Sequence, residues 1–483
     1  MASIVPSKKD PIIIVGAGAF GLSTALHLAR RGYTDVTVFD KQPYDDSRYS
    51  YFQGCDAASA DINKIIRAGY GKDVIYQDIT LEAVEGWNQW NAELASGQTV
   101  PPGMTTADRV WVNNGHISMT DGPVLPPFEQ ASLASMPKNT QFVSTDTHDQ
   151  QIAKSLGINL EPFKRQDPSR PNVALYDRTG GTTYADKACR FALHKARIYG
   201  AKFVLDPVAG ELKELLRGSS DKSEIIGIRT SDGKTHRAAL VILACGGWTP
   251  SILPALDGLN EATAGSVALL KIPRESPLYD RFAPENFPSW MHKMRDGHLG
   301  GLYGFARTDD GWLKIGYRGN KYTNPQVQSD GRERSVPITR WSKGETIKAI
   351  PKQALSVIQA FLDQYLPELG EAGIHISMTR ICWYNDSFDN HLTVDRVPGM
   401  DGLMVATSGS GHAFKYLPSL GNWIVDAMEG VGSDRPAIQA WRWRTLGDQQ
   451  SAINEIMQGS KGPRALSNLA LVTDSRLGRS AKL

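Results

Sequence analysis

The residues able to do chemistry in this chain gather at a few places. Gly16-Ala17-Gly18-Ala19-Phe20-Gly21 has the G-x-G-x-x-G spacing. Glycines in that pattern let the backbone turn tightly and approach a pyrophosphate, whose charge meets the free N–H groups and positive end of the following helix. Asp40 stands where a ribose-binding carboxylate belongs in a dinucleotide fold. Lys64 and Arg67 lie in Asp61-Ile62-Asn63-Lys64-Ile65-Ile66-Arg67, which reads as a helix start with both cations on one face. Such side chains commonly just reach water. Trp312-Leu313-Lys314-Ile315-Gly316-Tyr317-Arg318 alternates like a strand and puts Lys314 and Arg318 on one face. Thr379-Arg380-Ile381-Cys382-Trp383-Tyr384 sets a cysteine among large apolar groups, where it is more often a buried hydrophobe than a reactive thiol. Thr407-Ser408-Gly409-Ser410-Gly411-His412-Ala413-Phe414-Lys415-Tyr416-Leu417-Pro418 is a glycine-rich loop whose spacing favours close approach to a ligand. Pattern alone leaves Lys64 and Arg67 evenly balanced and favours a structural role for the other clusters after Asp40. Ser408 and Ser410 lack the G-x-S-x-G frame, and no H-E-x-x-H or calcium-loop spacing occurs, so serine hydrolysis and metal chemistry drop out.

The elements that must hold these residues are partly readable. Residues 12–15 form a short β-branched apolar run, the pattern of a parallel strand buried on both faces. Leu22, Ala25, Leu26 and Ala29 then follow helical spacing, Gly32 marks the stop, and residues 36–39 form a second strand closing on Asp40. Strand, glycine turn, helix, strand and acid agree on a dinucleotide site, without deciding between NAD and FAD. No second G-x-G-x-x-G occurs, so one nucleotide is expected. Residues 188–199 give a helix with Ala188, Phe191, Ala192, Ala196 and Tyr199 on its buried face, running into a strand at 202–205. Residues 210–216, 224–230 and 237–244 read as a meander, its last pair joined at Ser231-Asp232-Gly233-Lys234. Residues 421–428 suit a helix, and the regions about 99–177 and 256–340 read as irregular insertions.

Composition narrows the partners. With 483 residues, two to four domains and a sizeable core are expected. Lys plus Arg number 53 against 51 Asp plus Glu, too even a balance for a nucleic-acid binder. Cys55, Cys189, Cys245 and Cys382 have no framework spacing, which excludes a disulfide scaffold and fits a reducing compartment. The apolar stretch 11–29 contains Gly16, Gly18, Gly21, Ser23, Thr24 and His27, which suit a strand, turn and helix better than a secretory leader or a membrane span. The last residues, Ser480-Ala481-Lys482-Leu483, approach the Ser-Lys-Leu address of peroxisomal import; a peroxisomal or cytoplasmic location is expected.

Taken together, the runs at 380–384 and 411–418, supported by the helix expected at 63–67, resemble the flavin amine oxidases: monomeric sarcosine oxidase, pipecolate oxidase and the fungal fructosyl amino acid oxidases, or amadoriases. The likeness spans nearly the whole chain. It implies an α/β fold: a Rossmann-like FAD-binding domain of the glutathione reductase / D-amino acid oxidase type at 1–98, 178–255 and 386–483, with a mixed-sheet α+β substrate domain at 99–177 and 256–385. It also implies FAD bound covalently, the flavin 8α carbon joined to the sulfur of Cys382. Gly16, Gly18, Gly21, Asp40 and Gly411 would contact the cofactor. Arg67 and Lys415 would hold the substrate carboxylate, Lys64 would lie over the flavin ring, and Lys314 would serve oxygen activation, since a fixed ammonium stabilises developing superoxide. His412 joins the two lysines in the catalytic set, and Tyr303 lines the pocket.

Arg318 departs from the amadoriase pattern, in which a sugar-engaging glutamate is common. A donor-only guanidinium disfavours the same sugar contacts, so an N-methyl or other N-alkyl amino acid is expected over a fructosyl one, with saccharopine or pipecolate as alternatives. The implied reaction takes a secondary amine to an imine while O2 becomes hydrogen peroxide, in a monomer with no membrane partner. A flavin dehydrogenase with another acceptor, and a nucleotide-binding protein without catalysis, stand as rival readings.

Overall fold

A computed structural model describes residues 5–342, 347, 349–447 and 451–473. The carboxyl-terminal signal at Ser480 to Leu483 lies outside the described residues.

The buried run Ile12–Val15 becomes the centre of a six-stranded sheet because both of its faces and both of its edges find partners. It pairs in parallel with Val36–Asp40 on one side and Leu240–Leu243 on the other. Lys202–Leu205 extends one flank and Leu403–Thr407 the other, both parallel, and Thr393–Arg396 closes the edge antiparallel. The first strand is therefore where neighbours diverge, and a ligand crevice opens off its carboxyl end. Helix Ala19–Arg30 follows the glycine turn. Helix Leu420–Glu429 packs closely across it at Gly421, where a Cβ would fall 1.9 Å from the Ser23 carbonyl oxygen. Ser23 fastens the crossing by donating to the Leu417 carbonyl and accepting from the Gly421 N–H.

An eight-stranded mixed sheet forms the second layer, in the order Ile376–Ser387, Asn260–Lys271, Trp312–Tyr322, Leu302–Gly304, Ser289–His292, His116–Thr120, Val173–Asp177, Gln141–Val143. Helix Lys352–Tyr365 packs Ala354, Ile358, Phe361 and Leu362 into its core. Asn63–Ile66 belongs to a third sheet of three strands, with Gly181–Tyr184 and Trp111–Val112.

Several expectations need correction. Residues 63–67 are not helical: Asn63–Ile66 pairs antiparallel with Gly181–Tyr184, the two isoleucines suiting a pleated surface more than a helix turn. The regions taken as irregular hold most of the eight-stranded sheet, including the twelve-residue strand Asn260–Lys271. Its sequence, buried on both faces except at Lys271, offers no alternation to read. The third meander run splits: Thr235–Arg237 completes the meander, whereas Leu240–Leu243 joins the parallel sheet. Tyr199 caps its helix in solvent, 47% exposed, rather than joining the buried face. The strand expected at 312–318 runs on as Trp312–Tyr322, and the helices expected around 188–199 and 421–428 form as Ala185–Ile198 and Leu420–Glu429.

Candidate active site

One cavity, about 390 Å³, runs from the end of the first strand to the three-stranded sheet. At its first end Gly16 takes φ +107 and donates to the Phe39 carbonyl at 2.7 Å. A Cβ there would lie 2.4 Å from the Ala244 carbonyl oxygen, so only glycine fits. At Gly21 a Cβ would collide with the Gly16 carbonyl oxygen at 1.8 Å. Asp40 accepts from the Ala17 N–H at 2.7 Å and from the Gln42 N–H at 2.8 Å. Burial raises its pKa and those two N–H groups oppose the rise. Gly16, Gly18 and Asp40 all line the cavity, so a cradle without side chains and a carboxylate meet at one helix start. That arrangement fits a dinucleotide such as FAD.

The middle of the cavity is walled by the Ile376–Ser387 strand. Alternation sends Arg380, Cys382 and Tyr384 to one side, and Cys382 and Tyr384 line the cavity. Cys382 is 5% exposed, and the Arg380 guanidinium approaches its sulfur to 3.9 Å. Arg380 is itself buried and held by Asp61 at 3.2 Å and Asp56 at 3.6 Å.

Asp61 carries no sequence signal of its own, yet it organises the cations on this side. Its Oδ2 accepts from the Lys314 ammonium at 2.7 Å and from Lys64, and its Oδ1 faces Arg380. Burial pushes the Asp61 carboxyl up, but Lys314, Lys64 and Arg380 outweigh it and hold the group well below the usual carboxylate range. Lys314 is fully buried and also donates to the Asn63 carbonyl at 2.7 Å. It stands behind the cavity wall rather than in it, whereas Lys64 lines the cavity. Burial lowers the Lys314 ammonium to about 7 despite the opposing pull of Asp61.

At the far end Arg67, Lys415 and His412 converge with Tyr70, another residue without a sequence signal. Arg67 donates to the Gly69 carbonyl and Lys415 to the Arg67 carbonyl at 3.2 Å. Both cations lie over the Tyr70 ring, at 4.8 and 4.7 Å from its centroid. The Tyr70 hydroxyl bonds to Tyr416 at 2.8 Å and to His412 Nδ1 at 3.2 Å. His412 Nε2 faces the Asn390 carbonyl at 3.0 Å, so Nε2 carries the proton and Nδ1 accepts. Burial, with Lys415, Arg318 and Arg67 nearby, lowers the His412 imidazole to about 3 and keeps it neutral. Burial and the Arg67 charge likewise hold the Lys415 ammonium well below its ordinary range.

Tyr303 and Arg318 complete the lining. Tyr303 pairs with Gly316 across neighbouring strands, and a Cβ on Gly316 would strike the Tyr303 ring at 2.0 Å. Gly411, φ +70, keeps space open at the cavity edge, and the Arg318 guanidinium occupies it. The structure thus brings the expected residues around one cavity, Gly21 at its base and Lys314 one layer behind its wall.

Comparisons with known proteins agree with this layout. Residues 11–427 match the family model described as FAD dependent oxidoreductase. The chain is 27% identical to L-saccharopine oxidase of Schizosaccharomyces pombe, covering 90% of this chain and 93% of that protein. It is 24% identical to N-methyl-L-tryptophan oxidase of Salmonella dublin, covering 88% and 96%. The crystal structure of the deglycating enzyme fructosamine oxidase (Amadoriase II) from Aspergillus fumigatus superposes with a TM-score of 0.72 at 26% identity, covering 97% and 98%. Cradle, fold and family model converge: the chain belongs to the FAD dependent oxidoreductase family.

Proposed function

We propose that this protein oxidises a secondary amine bearing a carboxylate, an N-methyl or other N-alkyl amino acid, to the imine, with O2 reduced to hydrogen peroxide. The observation that carries the reading is one cavity with a dinucleotide cradle at one end, the Cys382 sulfur in its wall, and Arg67 beside Lys415 at the other end. Among the described residues neither of these cations has a carboxylate partner. The names of the saccharopine and N-methyltryptophan oxidases support it, since both compounds are secondary amines with carboxylates. In this reading Cys382 Sγ would hold FAD through its 8α position, and the bound FAD would supply the two-electron acceptor between amine and O2. The enzyme works as a monomer, with 1–98, 178–255 and 386–483 holding the cofactor and 99–177 with 256–385 shaping the substrate end. Delivery to peroxisomes through Ala481-Lys482-Leu483 would place the peroxide beside catalase.

The side chains divide the work. Arg67 offers a planar fork and Lys415 a point charge to the substrate carboxylate. Tyr70, fixed by Tyr416 and the neutral His412, holds both cations from beneath. Burial and the neighbouring Arg67 charge lower the Lys415 pKa, and an arriving carboxylate opposes that shift. Binding of a carboxylate inhibitor therefore raises the Lys415 pKa and takes up protons over the pH range between its free and bound values. Calorimetry in buffers of different ionisation enthalpy measures this, and a buffer-independent heat would contradict it.

Lys314 supplies positive charge where O2 gains electrons. Lys314→Met slows reoxidation of the reduced enzyme by about 100-fold or more, the scale of losing one preorganised charge-stabilising donor, with reduction by amine less affected. The rate in the unaltered enzyme falls as pH rises through about 7, where Lys314 loses its proton. Asp61→Asn withdraws the opposing negative charge and moves that fall to lower pH. Stopped-flow mixing of reduced enzyme with O2 tests both; equal rates in the lysine variant, or an unmoved pH profile in the aspartate variant, would count against these roles. The reading as a whole is tested by anaerobic bleaching of the flavin with a panel of secondary amines, and by O2 consumption that matches amine turnover.

A further inference from the structure

We propose that the preferred substrate carries a second anionic group, remote from the carboxylate held by Arg67 and Lys415, and that Arg318 receives it. The substrate class is then an amino dicarboxylate, with the oxidised C–N bond between its two acids. This rests on the oxidase reading and narrows it.

Arg318 projects from the Trp312–Tyr322 strand into the same cavity as Arg67 and Lys415. All three cations depress the His412 imidazole, which places their charges around one point. Yet among the described residues Arg318 meets no anion at hydrogen-bond distance: it donates to the backbone carbonyls of Gly411 at 3.4 Å and Ser410 at 3.5 Å, both at the long limit of a hydrogen bond, and its side-chain neighbour is the Tyr384 phenol. Among the described residues no ion pair reaches it; the buried Asp386, which raises its pKa from a distance, is taken by Lys321 at 2.9 Å and by Thr263 at 2.5 Å. Asp177, the acid whose charge acts on Lys415, is occupied by Thr179 and by the Ala68 N–H. Arg380, which belongs to the wall, is by contrast matched by Asp61 and Asp56.

The seat of Arg318 is built for it. A Cβ on Gly411 would fall 2.5 Å from both terminal guanidinium nitrogens, so the loop gives up a side chain to admit that group. Tyr384 supplies an aromatic face 5.4 Å away, and Gly265 leaves room for the Tyr384 hydroxyl. The charge count then decides the class. One substrate carboxylate answers Arg67 and Lys415. A neutral remainder filling the cavity would strip water from Arg318 and leave a desolvated, unpaired cation, which is costly; an anion there removes that penalty.

The test uses the flavin-loaded protein and pairs of N-substituted glycines, alanines and lysines. Members of each pair differ only in whether the distal group is a carboxylate or its primary amide. Rates of anaerobic bleaching give kcat/KM for each, and the ratio of acid to amide is read. The expected ratio is about 10- to 100-fold in favour of the acid, the range for a charged hydrogen bond. It collapses toward one in Arg318→Met and is partly kept in Arg318→Lys. A ratio near one in the unaltered protein, or one that survives Arg318→Met, overturns the inference. So does an equal slowing of both members in Arg318→Met, which would assign the cation to the cofactor. If no acid, no amide and no N-methyl amino acid bleaches the flavin, the oxidase reading itself has failed, a result distinct from these.

Discussion

Unfolded Cys382→Ala protein gives a colourless pellet on acid precipitation and a yellow supernatant, whereas the unaltered chain carries its colour into the pellet. The expectation follows from where the sulfur lies. Cys382 faces the cavity between the glycine cradle and the carboxylate clamp, opposite Gly265 in the neighbouring strand, with Arg380 within 3.9 Å. The guanidinium is fixed beside that sulfur by two aspartates. Cys55 and Cys245 also touch the cavity, but at its dinucleotide end, and burial pushes each thiol up to about 12. Cys189 is buried and raised further still. A yellow pellet from Cys382→Ala would move the attachment to one of these, and a colourless pellet from the unaltered chain would remove covalent attachment altogether. Intact mass, with and without the weight of FAD, reads the same outcome independently.

Arg67→Ala lowers kcat/KM for every carboxylate-bearing amine by about 100- to 10,000-fold, since a guanidinium fork makes two charge-assisted bonds of about 1.5 to 3 kcal/mol each. Inhibitors whose only recognition element is a carboxylate lose affinity by a similar factor. Arg67→Lys recovers part of the loss, because charge returns without the planar fork. The guanidinium also rests on the Tyr70 and Phe128 rings, 4.8 and 5.6 Å from their centroids, which orients it before substrate arrives. Unchanged inhibitor affinity in Arg67→Ala would leave Lys415 and Arg318 to hold the carboxylate and would overturn the assigned pose.

The readable parts of the fold were those in which local pattern and final environment coincide. Ile12–Val15, the glycine turn and helix Ala19–Arg30 announce themselves because their burial is set by near neighbours. Asn63–Ile66 misled because its strand partner, Gly181–Tyr184, lies far along the chain, while its short cation spacing mimics a helix face. Asn260–Lys271 was invisible for a different reason: a strand covered on both sides needs no alternation, and its small residues, Ala262, Ala264 and Gly265, look like loop. The same distinction governs the site. Cations that share a strand or a loop, such as Lys314 with Arg318, could be grouped by spacing. Asp61 and Tyr70 could not, since their importance comes from Lys314, Arg380, His412 and Tyr416, all supplied by later segments.

The backbone of Trp383 donates to the Asp56 carbonyl at 2.9 Å, and Ala57 bridges to the same tryptophan. This seam stitches an early loop, near the nucleotide cradle, to the strand bearing Cys382. A chain emerging from the ribosome has the cradle long before it has the thiol's final setting, and the two meet only when the late strand docks. Colour that resists denaturation would then certify maturation: molecules stalled with that strand undocked would stay pale, and the ratio of pigment to polypeptide would count the fraction that finished folding.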